Sequence, residues 1–393
     1  MRIGLRLVAF MIAGEVFAML GSSAVAATLP TLIAQWHLSS LQAGWLSGAY
    51  FIGYAVAVPV LVSLTDRFDS RFIFALGCAL GVVANFAFAF LAGGLAAAAV
   101  FWALAGVSLA GVYMPGLRVI IDGLEPGMRL RAVPYYTASF GIGTSLSFLA
   151  AGTIAQWAGW RAAFAAGGCG CIVAMACLVL AILGAERRSP SSGSGTFDVR
   201  EVLRNRAAMR YILAYGGHCW ELFALRAWLV ALLFFFWNSA AGGAPGRAIT
   251  YWSSAITLVG VPSSIVGAEF ALRVGRRRLI ATAAIASMLI AVLTGLFGAR
   301  MFLTGAIALV FYSIAITGDS AALTTGVVDV SDEATRGSTL ALHSLIGFVA
   351  GGLGPMAVGV ALAFGGGVSS GLGWTLALIV MAAGSGVALL AVR

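Results

Sequence analysis

The sequence predicts an all-α integral membrane protein of about twelve transmembrane helices in two pseudo-symmetric bundles of six, and three observations carry that prediction. Of 393 residues, 61% are hydrophobic and only 9% charged, with a mean hydropathy of +1.01, which is more apolar surface than a water-soluble core can hide. Apolar runs long enough to cross about 30 Å of hydrocarbon recur from end to end, without the period-two alternation of an outer-membrane barrel. One five-residue word is repeated: Glu15-Val16-Phe17-Ala18-Met19 returns as Glu221-Leu222-Phe223-Ala224-Leu225.

The first span, about 5–33, follows Arg2 and Arg6 and carries Ala24-Val25-Ala26 near its end, the outline of a secretory signal. Glu15 interrupts the apolar region that a signal needs, and the span has a counterpart in the seventh, so an uncleaved helix is expected. The second to sixth spans cover about 41–64, 71–92, 95–121, 133–156 and 161–184. A long polar interruption follows, where Ser189-Pro190-Ser191-Ser192-Gly193-Ser194-Gly195 leads into a basic stretch that reads as amphipathic or extended. It sets the expected division into a bundle over 1–186, a cytoplasmic linker over 187–206 and a second bundle over 207–393. The remaining spans cover about 207–237, 248–272, 277–299, 301–328, 336–363 and 371–392.

The two halves match at an offset of 206 or 207 residues over most of their length. Trp45 pairs with Trp252, Ser47 with Ser254, Gly53 with Gly260, Asp122 with Asp329, Arg129 with Arg336, and Gly152 with Gly359. An even number of spans per copy sends both copies in from the same side, as parallel repeats. All 23 basic residues are arginine. If both termini are cytoplasmic, 19 of them lie at cytoplasmic ends or loops, including Arg187, Arg188, Arg200, Arg204, Arg206 and Arg276-Arg277-Arg278. Arg161, Arg247 and Arg300 then face outward, and Arg226 stays inside a span. This positive-inside bias assigns the net charge of +9 to topology in an inner or plasma membrane and to anionic lipid, and no nucleic-acid partner is expected. The five cysteines all fall in apolar spans, which argues against a disulfide framework or a metal-type cysteine site.

On these features the chain resembles the major facilitator superfamily. The loop Asp66-Arg67-Phe68-Asp69-Ser70-Arg71 is similar to that family's acidic-basic signature between helices two and three, with Val62 and Asp69 where the signature has glycines. The loop Arg273-Val274-Gly275-Arg276-Arg277-Arg278 keeps the glycine and the basic run, with Leu272 at the acidic position. Gly159-Trp160-Arg161 opens span six as is common in the family, echoed by Gly373-Trp374, and Gly351-Gly352-Leu353-Gly354-Pro355 gives span eleven a small, bendable face. The resemblance implies a central cavity between the bundles, lined by spans one, four, seven and ten. Glu15, Tyr113, Met114, His218, Glu221, Arg226 and Asp319 would lie along its wall. It also implies that cytoplasmic charges hold one state of a gate together. Asp66, with Arg67 or Arg71 paired to Asp122 or Glu125, would serve the first half, and Arg129, Asp329 and Arg336 complete the set.

Glu15 and Glu221 sit near mid-bilayer at 1.5 Å rise per residue. An ionised group at a helix centre costs about 2.5–3.5 kcal/mol on insertion scales, so these glutamates, Arg226 and Asp319 must be offset or used. One reading is an ion pair such as Glu15 with Arg226; the other is a protonatable site for proton coupling. His218 and Glu221, three residues apart on one helix, share a face and suit a shared proton or a bound cation. Asp319, deeper toward the cytoplasm, and His343, which corresponds to Tyr136, suit a gate or packing. Tyr135, Tyr136 and Trp220 suit solute contact or interior packing.

The expected function is secondary active transport of a small solute by alternating access, with protons as the coupling ion, the bilayer as surroundings and a monomer as the unit. No nucleotide-binding loop, cofactor motif or convergent nucleophile and base is present, so neither ATP-driven transport nor an enzyme is expected. Two alternatives stay open: a transition-metal carrier using Met11, Glu15, Met19 and His218, and a transporter-like receptor or assembly factor. Arg226 points to an anionic solute, whereas the two glutamates point to a cation. Gly141-Ile142-Gly143-Thr144 stands where drug-exporting relatives have a glycine-proline motif, which weighs modestly against export.

Overall fold

The computed structural model describes residues 2–183, 199–240, 242–332 and 335–393, and every regular element among them is helical. The first half contains α1 (Arg2–Ala18), α2 (Ala24–Trp36), α3 (Ser40–Leu64), α4 (Ser70–Leu91), α5 (Leu95–Gly123) and α6 (Pro126–Ile182). After α7 (Val199–Arg204), the second half contains α8 (Arg206–Ala240), α9 (Ala248–Leu258), α10 (Gly260–Val274), α11 (Arg276–Phe297), α12 (Phe302–Thr317), α13 (Ser320–Asp329), α14 (Arg336–Phe364) and α15 (Gly371–Val392). Eleven helical stretches among the described residues are long and apolar enough to cross a membrane. One of them, α6, has 57 residues and is broken at Gly159, where φ is +82°. At 1.5 Å per residue it is far longer than one crossing, so the break makes it two and the crossings twelve.

Several crossings are interrupted in mid-span, and side chains repair the backbone there. Between α1 and α2 the chain tightens into a 3-10 turn at Met19–Gly21. Lipid offers no hydrogen bonds, so the freed groups need protein partners. Ser147 of α6 supplies them: its Oγ donates to the Leu20 carbonyl at 2.7 Å and accepts from the Ser23 amide at 2.9 Å. The α12–α13 crossing is interrupted at Gly318 and Asp319, where the Ile314 carbonyl still accepts the Gly318 amide at 3.0 Å and takes a second hydrogen bond from Ser263 Oγ at 2.8 Å.

The two charged turns explain their own sequence difference. Asp69 caps α4 by accepting the Arg71 amide at 2.9 Å, with an ordinary φ of −57°, so no glycine is required. Gly275 precedes α11 at φ +88°, a conformation that a side chain would strain.

The chain groups into two compact units, Met1–Thr28 with Ala49–Gly193, and Leu29–Gly48 with Ser194–Arg393. The first buries Leu7, Met11, Phe74, Cys78, Val112 and Tyr136 in one cluster. The second buries Ala214, Ile280, Leu323 and Ala388 in one cluster, and Val202, Ala208, Ile212, Val327 and Leu342 in another. Of the expected linker, 187–198 lies outside the described residues. The part that follows is the amphipathic α7, whose Val202 enters the second cluster while Asn205 caps α8 by accepting the Ala208 amide at 3.0 Å.

Close helix approach rests on glycine at the crossing of α3 and α5, where a Cβ on Gly106 would lie 1.8 Å from the Tyr50 carbonyl oxygen. Apolar lipid gives helices little hydrophobic reason to associate, so such backbone contact carries much of the packing. Gly106→Ala is expected to cost about 1–3 kcal/mol of stability, read as a lower melting temperature in detergent. Gly93→Ala, with nothing within 4 Å of the added carbon, is the control expected to melt like wild type.

Candidate functional site

The two repeated glutamates occupy different surroundings. Glu15, on α1, is fully buried, and its Oε2 accepts from Ser139 Oγ on α6. Ser139 Oγ also lies 2.6 Å from the Tyr136 carbonyl, so one hydroxyl proton serves two acceptors. Among the described residues Glu15 Oε1 is buried without a hydrogen-bond partner. Tyr113 packs nearby, with its ring 5.1 Å from Phe140 and its carbonyl accepting from Tyr136 Oη at 3.1 Å.

Glu221, on α8, is instead saturated. Its Oε1 accepts from Ser287 Oγ on α11 and Tyr312 Oη on α12, both at 2.7 Å, and its Oε2 accepts from Ser385 Oγ on α15. Three hydroxyls on three helices turn this carboxyl into the interior of its own bundle. Among the described residues the Glu221 carboxyl bonds these hydroxyls rather than His218, with which a shared proton or cation was expected.

His218 pairs with a different acid. Its Nδ1 is 2.8 Å from Asp319 Oδ1, with side-chain exposures of 2% and 7%. Asp319 stands at the break between α12 and α13, so the pair ties α8 to a point where the chain is already interrupted. Beside it, the Tyr215 ring stacks on His343 at 3.8 Å and lies 5.8 Å from His218. Among the described residues both ring nitrogens of His343 are buried without a hydrogen-bond partner, and the shared Tyr215 ring places it in the same cluster as His218.

Arg226 lies on α8 five residues beyond Glu221, near the middle of the 35-residue helix. It is half-buried, with its guanidinium 5.9 Å from the centre of the Phe223 ring. Among the described residues it makes no ion pair. A cation–π contact contributes about 0.5–2 kcal/mol, less than the about 2.5–3.5 kcal/mol cost of an arginine at the centre of a span.

The charges at the turn between α3 and α4 meet through Arg118, which the family signature did not single out. Arg118 bridges Asp66 at 3.2 Å and Asp122 at 3.4 Å, where Arg67 or Arg71 had been expected. Arg71 lies 3.9 Å from Asp69 in its own turn, and Ser70 Oγ donates to Asp122 at 3.5 Å. In the second half Asp329 pairs with Arg276 at 2.5 Å. Arg129 donates to the Leu124 carbonyl at 2.9 Å, while Arg67 and Arg336 are exposed and make no ion pair among the described residues. The spacing of Arg118 and Asp122, four apart on one helix, was the available signal.

Met11 and Met19 do not present a soft ligand face. Met11 is packed in the first unit's core and Met19 lies against Gly143, both essentially unexposed. Among the described residues no group of three histidine, cysteine or carboxylate side chains is arranged to hold a metal. A small polar cavity without any sequence signal lies beside the α1–α2 break, lined by Gly21, Ser22, Tyr50, Asn85 and Ser108. Among the described residues Ser22 Oγ and Asn85 Oδ1 have no hydrogen-bond partner there.

A sequence model described as Major Facilitator Superfamily matches residues 11–355. A tetracenomycin C resistance and export protein of Streptomyces glaucescens is 28% identical over 204 residues, 52% of this chain and 37% of that protein. The niacin transporter NiaP of Acinetobacter baylyi is 26% identical over 155 residues, 39% of this chain and 35% of that one. A hexuronate transporter of Escherichia coli K12 is 28% identical over 227 residues, 52% of this chain and 51% of the relative. The matches thus span only 35% to 51% of these relatives' length. Among solved structures, a bacterial homologue of the human lysosomal transporter Spinster, inward-facing and unoccupied, superposes with a TM-score of 0.82 at 15% identity, covering 100% of this chain and 97% of that one. The nucleoside transporter NupG gives a TM-score of 0.71 at 15% identity, covering 100% and 98%.

Proposed function

The chain belongs to the major facilitator superfamily, and from that premise we propose that it is a secondary active transporter moving a small solute by alternating access, coupled to protons at His218 and Asp319. The observation that carries the coupling is the buried 2.8 Å contact between His218 Nδ1 and Asp319 Oδ1. An imidazole and a carboxylate at that distance attract strongly when the ring is charged and only hydrogen-bond when it is neutral. One proton on this pair would therefore change how tightly α8 is held to the start of α13 at Asp319.

The bodies that rock are residues 1–186 and 207–393, joined by 187–206, with both termini on the cytoplasmic side of an inner or plasma membrane and a monomer as the working unit. Asp66, Arg118 and Asp122, with Arg276 and Asp329, serve as the cytoplasmic gate contacts. Glu221 organises the second bundle, and Glu15, with one oxygen unpartnered, is the first bundle's reserve proton acceptor. The names of the export protein, the niacin transporter and the hexuronate transporter support solute movement as the shared activity.

Proteoliposomes enclosing a pH-sensitive dye test the coupling, with niacin and a hexuronate as first solutes. Solute addition is expected to move protons, and a protonophore is expected to abolish accumulation. Accumulation that survives the protonophore would overturn proton coupling.

A further inference from the structure

We infer that the polar cavity beside the α1–α2 break is a binding site for one water molecule, and that this water ties the broken crossing to α4 and α5. The inference is independent of the transporter reading, and every residue that forms the site belongs to the one compact unit of Met1–Thr28 with Ala49–Gly193.

The side chains around the cavity present a definite set of unmet hydrogen bonds. Asn85, buried on α4, donates from Nδ2 to the Gly81 carbonyl at 2.9 Å, which fixes Oδ1 as the end that faces the break. A Cβ on Gly21 would lie 2.6 Å from that oxygen and one on Gly167 2.7 Å, so glycine at both positions is what lets it approach. Amide oxygens only accept. Ser108 Oγ, on α5, donates to the Gly77 carbonyl at 2.8 Å and so offers the cavity lone pairs alone. Ser22, in the break itself, keeps its proton, because among the described residues its buried Oγ has no partner. Orphaned polar atoms are costly at this depth, where lipid supplies no replacement.

A water molecule meets this set. It donates to Asn85 Oδ1 and Ser108 Oγ and accepts from Ser22 Oγ, which gives the three bonds usual for a buried water. Size selects the same ligand: the cavity leaves about 10 Å³ for the centre of a water-sized molecule, room for one and for no organic solute. The lining contains no carboxylate, and too few oxygens face the cavity to complete the shell of a metal cation. Position then gives the water its role. Ser147 of α6 already bonds the Leu20 carbonyl and the Ser23 amide of the break, and the water adds α4 and α5 through the Ser22 side chain.

The test uses the purified full-length protein and radiolytic labelling, in which an X-ray pulse turns bound water into hydroxyl radicals that oxidise adjacent side chains. Tyr50 lines the cavity and is itself buried, so bulk solvent does not label it; Tyr312, fully buried in the second unit, sets the baseline. Tyr50 is expected to be oxidised at least about fivefold above Tyr312, and to take up heavy oxygen after mixing with H2-18O. Asn85→Leu, which removes an acceptor and fills the cavity with an apolar branch, is expected to return Tyr50 to the baseline. Melting curves supply a second readout. Ser22→Ala is expected to lower the melting temperature of wild type but to leave that of Asn85→Leu unchanged, because the shared water is already gone. Labelling of Tyr50 at the baseline, labelling undiminished in Asn85→Leu, or melting shifts that simply add would each overturn the inference. Sodium, potassium and choline chlorides at equal concentration are expected to give the same melting temperature. A rise specific to one cation that is lost in Asn85→Leu would make the site a cation site and overturn the water. If Asn85→Leu fails to fold, Ser22→Ala alone decides, with Tyr50 labelling expected to fall at least about threefold and an unchanged value overturning the inference.

Discussion

Asp319→Asn is expected to lower proton-driven solute accumulation at least about tenfold while leaving exchange of solute across a membrane without a gradient within about threefold of wild type. The substitution is nearly isosteric, so the introduced amide still accepts a hydrogen bond from His218 and α13 still starts at the same residue. What it removes is the charge that makes one proton on the imidazole consequential. A tenfold loss corresponds to about 1.4 kcal/mol, well inside the roughly 3–5 kcal/mol that breaking a buried pair costs. His218→Gln removes the imidazole that faces Asp319 and is expected to act in the same direction. Accumulation and exchange are measured side by side in proteoliposomes. If both fall together in Asp319→Asn, the pair is a structural tie; if neither changes, the proton is carried elsewhere, and Glu15→Gln becomes the variant to follow.

The contrast between this pair and the repeated glutamates marks how far the sequence could be read. Span positions were legible because hydrocarbon thickness imposes a length that composition reports directly, and the break at Gly159 falls between the fifth and sixth expected spans. Asp122 and Asp329 share the repeat offset in the sequence, yet their cationic partners do not follow it. Asp122 meets Arg118 on its own helix, and Asp329 meets Arg276 on a neighbour. Repeats preserve backbone position, whereas a pair needs only that some arginine reach the acid.

Long-range partners were not legible at all. The hydroxyls on Glu221 come from 66, 91 and 164 residues away, and serine and tyrosine inside apolar spans have no periodic signature. His218 and Asp319 are 101 residues apart. Same-helix spacing favoured Glu221 as the partner of His218, and tertiary packing chose otherwise because three hydroxyls already hold that carboxyl.

Glu221→Leu is expected to destabilise the protein by about 3 kcal/mol or more, seen as a large drop in melting temperature in detergent. The change strands Ser287, Tyr312 and Ser385, all buried, without their acceptor. Each orphaned hydroxyl costs about 1–3 kcal/mol, offset in part by removing a buried carboxyl. Glu221→Gln retains one acceptor oxygen, and its amide can donate to a rotated serine hydroxyl, so its cost is expected to stay near about 1 kcal/mol. Removing the donors together is expected to rescue the leucine variant: Ser287→Ala, Tyr312→Phe and Ser385→Ala, added to Glu221→Leu, replace the polar knot by apolar groups of similar shape and recover most of the loss. Equal melting of the leucine and glutamine variants would contradict the hydroxyl accounting. Normal stability of Glu221→Gln with lost proton-driven accumulation would move the coupling proton from Asp319 back to Glu221, because only the titratable function separates that variant from wild type.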